Sequence, residues 1–166
     1  LMGGEIGVES TPGVGSTFHF TATYSVPLEV VSQQNQQPAV SLQGLRVLIV
    51  DDNATNREIL QKVTQAKGMR PVLASSVDEA FGILQQPTDD DDRVRLVLSD
   101  VNMPDRDGFE LADLIRSDSR FDDVDIIFLT SGGQTGDQQR CEDLRVAARL
   151  MKPVKQSELF DVVNRT

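Results

Sequence analysis

The chain has 166 residues, 39% hydrophobic and 25% charged, enough for one ordinary domain with an appendage. A net charge of −10 sets the surface against nucleic acid and anionic membranes, so neither is an expected partner. The single cysteine, Cys141, excludes an internal disulfide framework and fits a reducing, cytoplasmic compartment. No apolar run approaches the ~18 residues of a bilayer span, and no signal-peptide pattern is present.

The chain opens on "LMGGEIG", which reads as the middle of a longer protein. Residues 1–30 are rich in Gly, Thr and β-formers. "EIGVES" and "STFHFTATYSV" predict two strands joined by the turn residues of "TPGVG". In the second strand Phe18 and Phe20 share one face, and Thr17, His19 and Thr21 share the other. His19 reads as a solvated strand residue. Residues 31–44, carrying "SQQNQQPAVSLQG", form a polar linker with a reach of roughly 20 Å.

From Leu45 to residue 166 the pattern alternates. Apolar runs at Val47–Val50, Pro71–Ala74, Val94–Leu98, Ile126–Leu129 and Arg149–Met151 predict five strands. Helical faces lie between and after them: Ile59, Leu60 and Val63; Val77, Ala80, Phe81 and Leu84; Leu111, Leu114 and Ile115; Cys141, Leu144 and Ala148; Leu159, Phe160 and Val163. Cys141 reads as a small packed residue. Strands alternating with helices predict a doubly wound parallel sheet with right-handed crossovers and its functional site at the carboxyl ends of the strands.

The residues at those ends form a set. The first strand stops on Asp51-Asp52, the third on Asp100, the fourth on Thr130-Ser131 and the fifth on Lys152-Pro153. Each has an ordinary explanation alone; Asp52 or Asn53, for instance, could cap the following helix. Together they bring three carboxylates to one edge, and one lysine cannot neutralise them. A hard divalent cation with oxygen ligands can, and Mg²⁺ (or Mn²⁺) would also leave room for a phosphate oxygen. Lys152 and Thr130 suit the other phosphoryl oxygens. Asp100 is the natural carboxylate nucleophile, because in a 2-1-3-4-5 sheet the third strand lies beside the first. The acidic run 89–92 precedes the third strand and reads as a solvated loop at the opposite edge.

"VLIVDDN", "LVLSDVNMPDRDGFEL", "IIFLTSGG" and "LMKPVKQSEL" resemble the receiver domain of two-component response regulators, over residues 45–166. The resemblance implies a flavodoxin-like fold, strand order 2-1-3-4-5, with Asp100 as phosphoacceptor. It implies Asp51, Asp52, Asp100 and the backbone carbonyl of Asn102 as Mg²⁺ ligands, Thr130 and Lys152 on the phosphoryl oxygens, and Met103-Pro104 and Gly108 shaping the loop after the acceptor. A cis bond at Lys152-Pro153 is also implied. One position departs: Arg149 stands where the family carries an aromatic residue. "LMGGEIGVESTPGVGSTFHF" resembles the end of a histidine-kinase ATP-binding domain, leaving an N-terminal β-hairpin remnant over residues 1–30. Kinase remnant, linker and receiver follow the order of a hybrid sensor histidine kinase, whose parent could be membrane-anchored.

The expected function is phosphoacceptor in a phosphorelay. The expected donor is a phosphohistidine on the parent kinase or on a histidine phosphotransfer protein, since the fragment lacks the segments that bind ATP. A dimer through the hairpin is a further expectation. The alternatives are a Mg²⁺-dependent aspartyl-phosphate phosphohydrolase and a degenerate receiver used only for docking. The hydrolase would need a second carboxylate two residues after the nucleophile, where this chain has Asn102.

Overall fold

The computed structural model describes residues 3–23, 42–87, 89–132 and 137–165. The chain divides into two units, Leu1–Pro38 and Ala39–Thr166.

In the first unit, β1 (Ile6–Thr11) and β2 (Gly15–Phe20) pair antiparallel. The turn uses Gly13 at φ +79°, a backbone region where side chains are strained. Ile6 lies opposite Phe20 and Val8 opposite Phe18. With side chains alternating along each strand, these four share one face. All four are exposed, from 56% at Val8 to 80% at Ile6. The predicted alternation is present, and these four apolar side chains stay exposed. His19 is exposed, opposite Gly7. The second strand is shorter than its sequence pattern: it ends at Phe20, and residues 24–26 of that pattern lie outside the described residues.

The second unit carries the strands β3 (Arg46–Val50), β4 (Arg70–Ala74), β5 (Leu96–Asp100), β6 (Asp125–Thr130) and β7 (Ala148–Met151). Its helices are α1 (Ala54–Gln65), α2 (Val77–Leu84), α3 (Gly108–Arg116), α4 (Asp137–Asp143) and α5 (Gln156–Val163). All strand pairings are parallel and the order is β4-β3-β5-β6-β7. Counted within the unit, that is 2-1-3-4-5, the flavodoxin-like order. The central strands are continuous apolar runs because both faces are covered. On one face Val47, Ile49, Leu98 and Leu129 pack with Leu60 of α1 and Leu159, Phe160 and Val163 of α5. On the other, Leu48, Val50, Val97 and Phe128 pack with residues of α2 and α3, including Ala80, Phe109 and Ile115.

Three expectations change. Ala148, read as part of a helical face, begins β7, because α4 ends at Asp143 and the chain pairs Ala148 with Ile127. Cys141 and Leu144 remain buried, and burial pushes the Cys141 thiol's pKa up, as expected of a packed residue. Ile59, read with Leu60 as core, is 55% exposed; it lies at the margin of the apolar stripe, about 100° from Leu60 around the helix. The acidic run is more than a solvated loop. Asp90–Asp92 form one 3-10 turn, and the Asp92 carboxylate pairs with Arg46 and Arg70 at the starts of β3 and β4. It does lie at the amino edge of the sheet, opposite the carboxyl ends.

Candidate functional site

Asp51 follows the last residue of β3, and Asp100 ends β5, the neighbouring strand. Parallel pairing therefore delivers both to one edge. Asp51 is 0% and Asp100 6% exposed, whereas Asp52 is exposed. Carboxylate oxygens from all three lie within 4.8 Å of one another. The capping explanation for Asp52 does not apply: Asn53 caps α1, accepting from the Thr55 and Asn56 backbone N–H groups at 2.9 and 3.3 Å. Asp107, not Asp100, caps α3, in a reciprocal box with Glu110.

Lys152 reaches this edge from the end of β7. Its Nζ lies 2.8 Å from Asp51 Oδ2 and 2.8 Å from Asp100 Oδ2. The Lys152-Pro153 bond is cis. Burial disfavours the ammonium, but hydrogen bonds to Asp100 and Asp51 and their negative charge outweigh it, so the Lys152 pKa is raised. One ammonium thus bridges two of the three clustered carboxylates, and an all-oxygen donor set of this size suits a hard divalent cation.

Thr130 is buried at the end of β6, and its carbonyl accepts from the Lys152 N–H at 2.7 Å. Its hydroxyl is engaged with Gly132, donating to the carbonyl and accepting from the N–H. Asn102 is exposed, and its N–H donates to Asp100 Oδ1 at 3.3 Å. Met103 is buried in the core below the loop. Gly108 opens α3 where a Cβ would run into the Asp100 carbonyl oxygen, so the loop returns against the strand only with glycine there. Within that loop Asp105 has φ +65°, a conformation that Asp tolerates better than most residues. Arg149 turns to an acidic partner: its Nη2 donates to Asp137 Oδ2 at 3.1 Å, while its buried Nε has no hydrogen-bond partner among the described residues.

Asn56 and Arg57 were not singled out from the sequence, and Asn53 was named only as a helix cap. The Asn53 N–H donates to Asp51 Oδ1 at 2.8 Å, the Asn56 amide contacts both Asp51 oxygens, and Arg57 Nη1 donates to the Asp51 carbonyl oxygen. The available signal was "DDNATNR": a helix capped at Asn53 places its first-turn side chains beside the strand end it leaves.

A doubly wound α/β domain gathers its functional groups at the carboxyl ends of its strands, and this one sets three carboxylates and a lysine there. Residues 47–164 match the family model described as response regulator receiver domain. The chain belongs to the response regulator receiver domain family. Among curated relatives, the sensor protein EvgS of Escherichia coli K12 is 31% identical over 156 residues, 92% of this chain and 12% of that protein. The sensor histidine kinase AruS of Pseudomonas aeruginosa is 38% identical over 116 residues, 69% of this chain and 11% of that protein. The response regulator Rre1 of Synechocystis is 34% identical over 120 residues, 72% of this chain and 50% of that one. A response regulator receiver protein from Pseudomonas putida matches in structure with TM-score 0.66 and 30% identity, covering 74% of this chain and 97% of that one. Receiver domains generally hold Mg²⁺ in such an acidic pocket. Among the described residues no helix is long and apolar enough to cross a membrane.

Proposed function

We propose that this domain accepts a phosphoryl group on Asp100 from a phosphohistidine, with Mg²⁺ or Mn²⁺ held by Asp51, Asp52, Asp100 and the Asn102 carbonyl. The observation that carries the reading is the Asp100 carboxylate clustered with Asp51 and Asp52 and 2.8 Å from Lys152 Nζ. An Asp100 oxygen attacks phosphorus. The new O–P bond forms as the N–P bond of the donor imidazole breaks, and the electron pair returns to the ring nitrogen, which takes a proton from solvent. The metal supplies neutralisation of charge on the phosphoryl oxygens. Lys152 leaves its bridge between Asp51 and Asp100 to meet one phosphoryl oxygen, and the Thr130 hydroxyl turns from Gly132 to meet another.

The donor is a phosphohistidine domain of a parent hybrid kinase or a histidine phosphotransfer protein. A groove of about 190 Å³ beside Asp51 and Lys152, lined by Ile59, Leu60, Val63 and Pro153, supports docking of an apolar partner side chain. We read residues 1–30 as the end of a kinase ATP-binding domain, 31–44 as linker and 45–166 as receiver; alignment with a sensor protein over 92% of the chain supports this. A cytoplasmic location goes with that reading and with the free, buried Cys141, whether or not the parent is anchored in a membrane.

The test is mass measurement after incubation with Mg²⁺ and a small acyl phosphate. The wild type gains one phosphate and Asp100→Asn gains none. Asp52→Asn binds Mg²⁺ about tenfold more weakly, a loss of ~1.4 kcal/mol. Gain retained by Asp100→Asn overturns the assignment. Turnover of phosphomonoesters would mark a hydrolase, and no gain at all a docking module.

A further inference from the structure

We propose that Asn56 is a positioning residue that keeps the Asp51 carboxylate aimed once Lys152 has left it. The inference rests on the function proposed above and adds a residue to its machinery. Asp51 is 0% exposed, so a hydrogen bond it loses is costly. Its Oδ1 accepts from the Asn53 N–H at 2.8 Å and from Asn56 Nδ2 at 3.2 Å. Its Oδ2 accepts from Asn56 Nδ2 at 3.1 Å and from Lys152 Nζ at 2.8 Å. Among the described residues, Asn56 is thus the one side chain that touches both oxygens.

Lys152 cannot hold Asp51 once a divalent cation sits among the carboxylates, because like charges repel at that range. It also binds Asp100 Oδ2, the candidate attacking group, and its ammonium is wanted by the phosphoryl oxygen. When it moves, Oδ2 keeps Asn56 alone among its hydrogen-bond donors from the described residues. Asn56 can do this without competing with a metal, because a neutral amide adds no positive charge beside the carboxylate. Its own position is fixed in the first turn of α1, where its backbone N–H is bonded to the Asn53 cap. Arg57, the next residue, holds the Asp51 carbonyl oxygen, so successive residues of that turn grip the side chain and the main chain of one aspartate. Outer partners that orient a metal-binding carboxylate change metal affinity about tenfold or more when removed.

The experiment compares wild type with Asn56→Leu, which keeps the size and loses the donor, and Asn56→Ala, which loses both. Mg²⁺ binding is titrated by calorimetry and Mn²⁺ binding by electron paramagnetic resonance, without a phosphodonor. Initial rates of phosphorylation by acetyl phosphate are then measured across Mg²⁺ concentrations. The expected result is about a tenfold weaker metal affinity in both variants. At saturating Mg²⁺ the rate stays within about twofold of wild type, and Asn56→Gln, which restores an amide donor, recovers much of the affinity. Metal affinity within twofold of wild type in either folded variant overturns the proposal, as does a larger fall in the saturating rate. Failure of the parent reading is separate: it shows as no phosphate gained by the wild type, while the metal titrations still report on Asn56.

Discussion

Lys152 sits with a fifth of its side chain exposed between Asp51 and Asp100, both almost fully buried. Desolvation works against its charge, but the two carboxylates win and hold its pKa above the ordinary 10.5. A group whose pKa is raised on folding contributes stability in full below its unfolded value and loses it as pH rises through the folded value. The metal-free protein therefore loses stability as pH rises above that ordinary value, and Lys152→Met lacks that loss. At neutral pH, Lys152→Met itself costs about 3 kcal/mol, because it leaves buried Asp51 without its cation. Urea unfolding at pH 7 and at pH 11 measures both effects. An unchanged midpoint at pH 7 would show that the bridge contributes nothing. Arg149 makes the complementary point: its sequence position announced a departure from the family, but only the fold supplied Asp137 as its partner.

At the scale of elements, hydrophobic period located the five strands and five α-helices described in the second unit but did not rank the residues within a stripe. Ile115 and Ile59 both lie on predicted apolar faces, yet Ile115 is 0% and Ile59 55% exposed. Ile115→Ala should cost roughly 2–5 kcal/mol, since it removes buried contacts and leaves a cavity. Ile59→Ala should stay within about 0.5 kcal/mol, as surface changes do. Equal losses on chemical denaturation would mean that the α1 and α3 faces are covered alike. Ala148 shows the limit of period reading. Ala148, four residues beyond Leu144, extends a helical face equally well on paper, but the parallel edge offered by β6 claims it for a strand.

At the scale of the molecule, the hairpin exposes Ile6, Val8, Phe18 and Phe20 on one face. Leaving such side chains in water forgoes roughly 1.5–3 kcal/mol each relative to burial. A two-stranded hairpin is marginal alone, and its free edges invite further strands. The expected consequence is a dimer formed through the hairpin. Light scattering on the whole chain beside one beginning at Leu45 decides this: a dimer for the first and a monomer for the second. Two monomers would remove the hairpin as an association surface.

The sequence by itself determined the order of elements, the parallel sheet, and the identity of the groups at its carboxyl edge. Apolar runs ending in Asp100, Thr130 and Lys152, or just before Asp51-Asp52, carry both facts at once, because a strand buried on both faces can place its polar residues only where it stops. Tertiary structure decided which of those groups touch. That Lys152 bridges Asp51 and Asp100, that the Thr130 hydroxyl faces Gly132, and that Asn56 reaches back to Asp51 depend on strand register and on the angle at which α1 leaves β3. Those are fixed by packing between residues far apart in the chain. A local pattern records which face a side chain takes; it does not record which neighbour the sheet brings beside it.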